Sequence, residues 1–242
     1  MLSKNQIKLI TSLQQKKYRK QHQLFFAEGI KVIEELLVSK FELQAIFTTE
    51  LLDFDVATDK IHTINTNELK KISALTTPNT CLAVFKIPIE KKLEENGLIV
   101  ALDNVRDPGN LGTIIRLCDW FGITQLICST ETVDIYNPKV VQATMGSIGR
   151  VAVFYQDLAA FLKKTQLPVF GTFMEGENVY QKSLPQNGIL VMGNEANGIS
   201  ESVSKSITQK LSIPRFGKLQ QTESLNVATA TAILLSEFKR NS

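Results

Sequence analysis

The 242-residue chain is poor in the side chains that most often carry redox or metal chemistry. Its three cysteines, Cys81, Cys118 and Cys128, are odd in number and contain no Cys-x-x-Cys pair. Neither a disulfide framework nor a zinc site is expected, and each thiol reads as a small core hydrophobe. The two histidines, His22 and His62, have no evident partner in the sequence. A Ser-His-Asp or His-metal mechanism therefore has little to work with, and no metal is expected. No apolar run is long enough to span a bilayer. The opening stretch MLSKNQIKLITSLQQKKYRK has neither a signal-peptide core nor a small-residue cleavage site. No membrane partner is expected, and the cytoplasm is the expected compartment. The phosphate-binding patterns GxGxxG and GxxxxGK followed by Ser or Thr are both absent, which excludes a standard dinucleotide or P-loop site. There is no internal repeat and no low-complexity tract.

What is present is ordinary globular material, 43% apolar and 21% charged. The length suits one large domain or two smaller ones. A net charge of +3 is mild, but its distribution is not even. Up to Phe26 there are six cations (Lys4, Lys8, Lys16, Lys17, Arg19 and Lys20) and no acid. Any one lysine reads as a solvated helix position. The cluster reads as a phosphate-facing surface, with Lys16, Lys17, Arg19 and Lys20 as its candidate contacts.

The opening segment has helical spacing at Ile7, Ile10, Leu13 and Lys17. LFFAE then reads as a strand, an amphipathic helix follows Gly29, FELQAIFTT is a strand, INTNELKKIS a capped helix and TCLAVFKI a strand. This first α/β unit is assigned to residues 1–90 and the charged stretch 91–97 to a linker. From residue 98 to 242 strands and helices alternate: LIVALDNV, LGTIIRLCDWF, TQLICST, a helical stretch after Asn137-Pro138, RVAVFYQ, LAAFLKKT, PVFGTF, GILVMGNE, KLSIP and the closing SLNVATATAILLSEFKR. That alternation predicts an α/β fold with a mostly parallel sheet.

In open parallel sheets ligands bind beyond the carboxyl ends of the strands. Three loops are expected there. The first runs over 103–112 and includes Asn110, which can cap the following helix. Arg116 lies within that helix on an apolar background; its plain reading is a surface arginine or a bridge to Asp119, its functional one a phosphate or ribose contact. The second segment runs over 190–199. Gly193 lets a ligand approach the backbone, Gly198 permits a turn, and Glu195 is a carboxylate at a strand mouth that needs a partner, for which Arg116 is available. The third follows Ile213-Pro214 and ends at Ser224-Leu225-Asn226. Ser224 and Asn226 are also plausible helix caps.

In order, Asn-x-Gly-x-x-x-Arg from Asn110 to Arg116, Gly-x-Glu-x-x-Gly from Gly193 to Gly198, and Ser224-Leu225-Asn226-Val227 resemble the SpoU/TrmH group of the SPOUT methyltransferase superfamily. The resemblance covers about Leu98 to Phe238. The stretch KKYRKQHQLFFAEGIKVIEE resembles the substrate-binding domain that precedes the catalytic domain in ribosomal-RNA ribose methyltransferases of this group. The resemblance implies a C-terminal α/β domain tied in a deep trefoil knot, an exception to the usual connection rules, with a smaller N-terminal α/β RNA-binding domain. It implies S-adenosyl-L-methionine as cofactor, contacted by Gly193, Ile213 and Leu225, with Thr172 as a weaker candidate. It implies methyl transfer to a ribose 2′-hydroxyl of RNA, ribosomal RNA above tRNA, by a homodimer. Arg116 would act either as the base that the family has been proposed to use, or by binding the neighbouring phosphate and stabilising alkoxide charge. Asn110 would orient Arg116 or the ribose. Glu195 would fix Arg116, within the chain or across a dimer. Ser224 and Asn226 would complete the ribose and loop contacts.

Two features depart from the pattern. Ile213-Pro214 is followed by Arg215 where many members have Met, and the loop 216–223 is long. Arg215 either adds an RNA contact or changes how that loop closes. The rival readings are a tRNA ribose methyltransferase, an RNA-binding protein of this fold without chemistry, a base methyltransferase from another SPOUT branch, and an unrelated nucleotide-binding enzyme. Intact motifs speak against the second, and the missing phosphate loop against the last.

Overall fold

The computed structural model describes residues 1–89, 92–217, 219 and 224–240. The start of the expected linker and positions 218 and 220–223 of the loop after Pro214 lie outside the described residues. The chain divides into two compact units. The first comprises residues 1–90 together with 134–150, and the second comprises 91–133 together with 151–242. A linear boundary at residue 90 leaves out this later segment of the first unit.

The first unit opens with two helices where one was expected, α1 (Lys4–Ser12) and α2 (Lys16–His22). Ser3 and Gln6 form a capping box at the start of α1. The break after α1 is held by Arg19 of α2, whose Nη1 donates to the carbonyls of Leu13 at 2.8 Å and Gln14 at 2.9 Å. Its Nε donates to Asp134 at 2.9 Å, and Nη2 pairs with the same carboxylate. The carbonyls of the turn that follows α1 are thus satisfied by a side chain.

The unit then runs through β1 (Leu24–Glu28), α3 (Ile30–Leu37), β2 (Leu43–Thr48), a 3-10 turn, β3 (Ile61–Thr63), α4 (Thr66–Ile72) and β4 (Cys81–Lys86). Asn65 and Glu68 cap α4 reciprocally. The sheet order is β1-β4-β2-β3. β4 pairs antiparallel with β1 and β2, and the short β3 adds parallel to β2.

Side chains alternate across the sheet. Phe26 of β1 joins Ile10, Leu13, Phe47, Leu69 and Leu82 in one core cluster. Its neighbour Phe25 packs instead on Phe41, Phe85 and Tyr136, the last at 4.8 Å between ring centroids. The 134–150 segment therefore supplies part of this face. It also approaches α3 so closely at Gly146, where φ is +92°, that a Cβ would lie 2.3 Å from Cβ of Glu35.

The second unit is built on a six-stranded sheet: β5 (Leu98–Leu102), β6 (Gln125–Cys128), β7 (Ala152–Tyr155), β8 (Val169–Asn178), β9 (Gly188–Met192) and β10 (Gln209–Ser212). Its helices are α5 (Pro108–Trp120), α7 (Leu158–Leu162), α8 (Glu201–Ser204) and α9 (Val227–Lys239), while α6 (Pro138–Thr144) is the helix that groups with the first unit. The strand order is β10-β8-β9-β5-β6-β7, and every pairing is parallel. Every residue of β5 and β9 is buried, which is why these strands read as continuous apolar runs. One core cluster joins Ile99, Ala101, Ile127, Leu158, Ile189 and Val191. α5 and α9 pack on each other, and Phe238 of α9 meets Phe170 of β8 edge-on at 5.2 Å. The three cysteines are free and buried. Burial pushes the thiol of Cys81 up to about 11 and raises those of Cys118 and Cys128 further.

Candidate active site

β5 and β9 lie side by side with Leu102 opposite Met192 at their carboxyl ends, so the first two loops leave the sheet together. Buried groups bind them to each other at once. The Asp103 N–H donates to the carbonyl of Met192 at 2.9 Å, and the buried Asp103 carboxylate accepts from the N–H of Ser200 at 2.7 Å. Asn194 Nδ2 donates to the carbonyl of Asn104 at 2.7 Å, while Asn194 Oδ1 accepts from the N–H groups of Ala196 and Asn197. Asn194 and Gly198 close the second loop by exchanging backbone hydrogen bonds of 2.9 Å. Gly193 is buried beneath this turn, where a Cβ would lie 2.2 Å from the carbonyl carbon of Gly198. The space beside Gly193 is thus filled by the loop's own backbone, and that close approach requires the glycine.

The cap of α5 is Asp107, not Asn110: its Oδ1 accepts from the Asn110 N–H at 2.8 Å, and Pro108 takes the first helical position. The side chain of Asn110 is thereby free for the other loops. Its Nδ2 donates to Glu195 Oε1 at 2.7 Å, and its Oδ1 accepts from Asn226 Nδ2 at 2.9 Å. Asn226 does cap α9, its Oδ1 accepting from the N–H groups of Ala228 and Thr229. One planar amide thus starts a helix with its oxygen and reaches the first loop with its nitrogen. The chain Asn226–Asn110–Glu195 joins all three loops.

The other expected residues form no hydrogen bond with this chain among the described residues. Arg116 is exposed on α5 and has no hydrogen bond or ion pair among the described residues; Glu195 is engaged with Asn110 instead. Ser224 is exposed and has no hydrogen bond among the described residues. Leu225 is 49% exposed and Ile213 partly buried, which leaves apolar surface at the ends of the third loop. The Thr172 hydroxyl donates to the carbonyl of Val191 at 3.4 Å, so it sits where β8 meets β9. Lys16, Lys17 and Lys20 are exposed on α2, but Arg19 is buried and its donors are spent on Leu13, Gln14 and Asp134. The expectation of Arg19 as a phosphate contact gives way to a structural role.

Sequence reasoning passed over Asn104, Asp103 and Asn194, which tie the loops, and Asp107, which caps α5. Asn104 has a φ of 61°, a left-handed conformation that asparagine tolerates better than most residues. Its tolerance of that region is the one signal that could have drawn attention to it.

The donor set fits a neutral aromatic base beside a sulfonium group. Backbone amides of tight loops lie at strand ends, with the apolar side chains of Ile213 and Leu225 nearby. Among the described residues no group of three or more His, Cys, Asp or Glu could hold a metal ion, and no helix is long and apolar enough to cross a membrane. A cleft of about 720 Å³ opens in the first unit, lined by Gly29, Lys31, Thr49, Lys70 and Asn79 among others; it involves none of the three loops.

Residues 97–236 match the model of the SpoU rRNA Methylase family, and residues 4–83 match the MRM3-like substrate binding domain. The chain is 31% identical over 246 residues to the 23S rRNA (guanosine(2553)-2′-O)-methyltransferase RlmP of Bacillus subtilis, covering 98% of this chain and 97% of that protein. Among solved structures it is similar to a putative RNA methyltransferase of the TrmH family from Porphyromonas gingivalis, with a TM-score of 0.91, 40% identity and both chains fully covered. An rRNA methyltransferase from Sinorhizobium meliloti with AdoMet bound matches with a TM-score of 0.83 and 28% identity, over 99% of this chain and 96% of that one.

Proposed function

Because the chain belongs to the SpoU rRNA methylase family, we propose that it methylates a ribose 2′-hydroxyl of RNA, ribosomal RNA in particular, with S-adenosyl-L-methionine as methyl donor. The observation that carries this reading is the hydrogen-bonded chain Asn226–Asn110–Glu195, which draws the three motif loops into one site. The activity of the Bacillus subtilis relative on 23S rRNA and the match of residues 4–83 to a substrate-binding domain support ribosomal RNA over tRNA. The strand order β10-β8-β9-β5-β6-β7 supports the knotted fold that the family implies.

When bound, S-adenosylmethionine supplies a methyl group already activated on sulfur. The remaining work falls to alignment, which is worth several orders of magnitude in rate. Backbone groups at Gly193, Ile213 and Leu225 would hold the donor, with the apolar side chains of Ile213 and Leu225 available to its adenine and Thr172 as a weaker candidate. Asn110 keeps one amide N–H and one lone pair, and Asn226 one amide N–H, for the ribose. Glu195 holds Asn110 in one orientation, so neither amide needs to reorganise during the reaction. Arg116 binds the phosphate beside the target and stabilises negative charge growing on the 2′-oxygen. A guanidinium does not readily release its proton, which favours this role over that of a base and leaves the 2′-hydroxyl proton to pass to solvent water as the O–CH3 bond forms and the S–CH3 bond breaks. The working form is a homodimer in the cytoplasm, with the site near the subunit interface and Ser224 completing the ribose contacts.

Arg116→Ala is expected to abolish methyl transfer while S-adenosylmethionine still binds with nearly unchanged affinity. Ribose-methylation mapping of RNA from cells with and without the active protein, together with a cofactor titration of the variant, tests both halves. Full turnover by the variant would remove the assignment.

A further inference from the structure

One cation of the first loop has no part in the chain of hydrogen bonds just described. Arg106 is exposed, lies four positions before Asn110, and directly precedes the cap of α5. Its Nε donates to Asn104 Oδ1 at 2.8 Å. Asn104 is itself pinned. Its N–H donates to Ser129 Oγ at 2.9 Å, its carbonyl accepts from Asn194 Nδ2 at 2.7 Å, and its φ of 61° aims the side chain differently from an extended residue. The residue that holds Arg106 is therefore the same one that ties the first loop to the second.

This arrangement uses only the inner nitrogen of the guanidinium. The terminal amino groups have no hydrogen-bond acceptor among the described residues; Glu131, whose carboxyl is held below its usual range chiefly by the Thr130 hydroxyl and least by the charge of Arg106, accepts from Thr130. A guanidinium fixed at Nε and open at both Nη atoms presents the planar fork that matches two oxygens of a phosphate, with part of its side-chain entropy already lost before binding. A carboxylate has the same two-oxygen geometry, so the amino-acid end of the methyl donor is the alternative anion.

We infer that Arg106 is a substrate-binding residue that grips a backbone phosphate of the RNA strand flanking the target nucleotide, and that Asn104 is the positioning residue that holds it ready. The inference rests on the RNA ribose-methylation reading. Arg106 contributes register and affinity, not base recognition, since phosphate contacts carry no sequence information.

The test uses the full-length protein, a ribosomal-RNA fragment shown to be methylated by the wild type, and initial rates over a range of salt concentrations. For Arg106→Ala the KM for RNA is expected to rise about tenfold, as for loss of a charge-assisted hydrogen bond. The slope of log KM against log salt is expected to flatten by about 0.7, the counterion release of one phosphate contact on a single strand. Affinity for S-adenosylmethionine should stay at the wild-type value. Arg106→Lys should retain the flattened-slope difference only in part, because the charge remains but the bond to Asn104 is lost. Asn104→Ala should raise the KM for RNA by less than Arg106→Ala. An unchanged salt slope in Arg106→Ala overturns the proposal, and so does a weakened cofactor affinity with unchanged KM for RNA, which would place the methyl donor's carboxylate at Arg106. A wild type that methylates no ribose in any RNA would instead overturn the underlying reading.

Discussion

An asparagine side chain offers two donors and one acceptor on a rigid plane, and four of them organise this site. Asn226 and Asn194 each divide the plane between a local backbone turn and a distant loop. Asn110 divides it between two loops. Donor identity therefore matters more than size. Asn110→Asp keeps the shape and still accepts from Asn226, but sets a carboxylate against the carboxylate of Glu195. Methyl transfer is expected to fall at least tenfold, by like-charge repulsion across a contact of hydrogen-bond length. Combining Asn110→Asp with Glu195→Gln restores one donor and one acceptor in reverse order and should recover part of the rate. Steady-state rates in a double-mutant cycle would measure the coupling, and additive losses would dissociate Glu195 from Asn110. Motif order made Asn110, Glu195 and Asn226 visible before any fold was known. Their mutual geometry was not, because the same Glu195 read equally well as a partner for Arg116. Only backbone positions decide which of two reachable partners a carboxylate meets.

At the level of elements, periodicity located most strands and helices, since buried parallel strands and amphipathic helices differ in length and pattern. It failed where one side chain outweighs a pattern. The apolar spacing of Ile7, Ile10 and Leu13 continues smoothly to Lys17, yet the helix ends at Ser12 and Arg19 takes up the carbonyls of Leu13 and Gln14 in the turn that follows. It also missed β3, three residues that exist only by pairing with β2. The Arg19 assignment has a thermodynamic consequence. Arg19→Met leaves the Asp134 carboxylate and two carbonyls without their buried partner and should cost about 3 kcal/mol. A lower urea midpoint with unchanged slope would show it. Lys17→Met on the exposed face of the same helix should leave the midpoint in place. Equal midpoints for both variants would return Arg19 to the class of surface cations.

At the scale of the whole molecule, the first unit is discontinuous in sequence. Its sheet face at Phe25 and Phe41 is covered by Tyr136, while Arg150 pairs with Glu35 at 2.6 Å. No composition shift marks residues 134–150 as belonging there. A fragment of residues 1–89 is accordingly expected to be poorly folded, binding a hydrophobic dye and giving a narrow amide spectrum. Appending 134–150 through a flexible linker should restore dispersion; a well-folded bare fragment would show the added segment to be dispensable. Discontinuity of this kind also bears on Asn226, which is bonded to the first loop from a position 116 residues beyond Asn110. During synthesis the central strands and the first two loops emerge long before that amide does. The nascent polypeptide therefore passes through a long interval in which the chain Asn226–Asn110–Glu195 cannot form, and a product truncated before Asn226 is expected to transfer no methyl group.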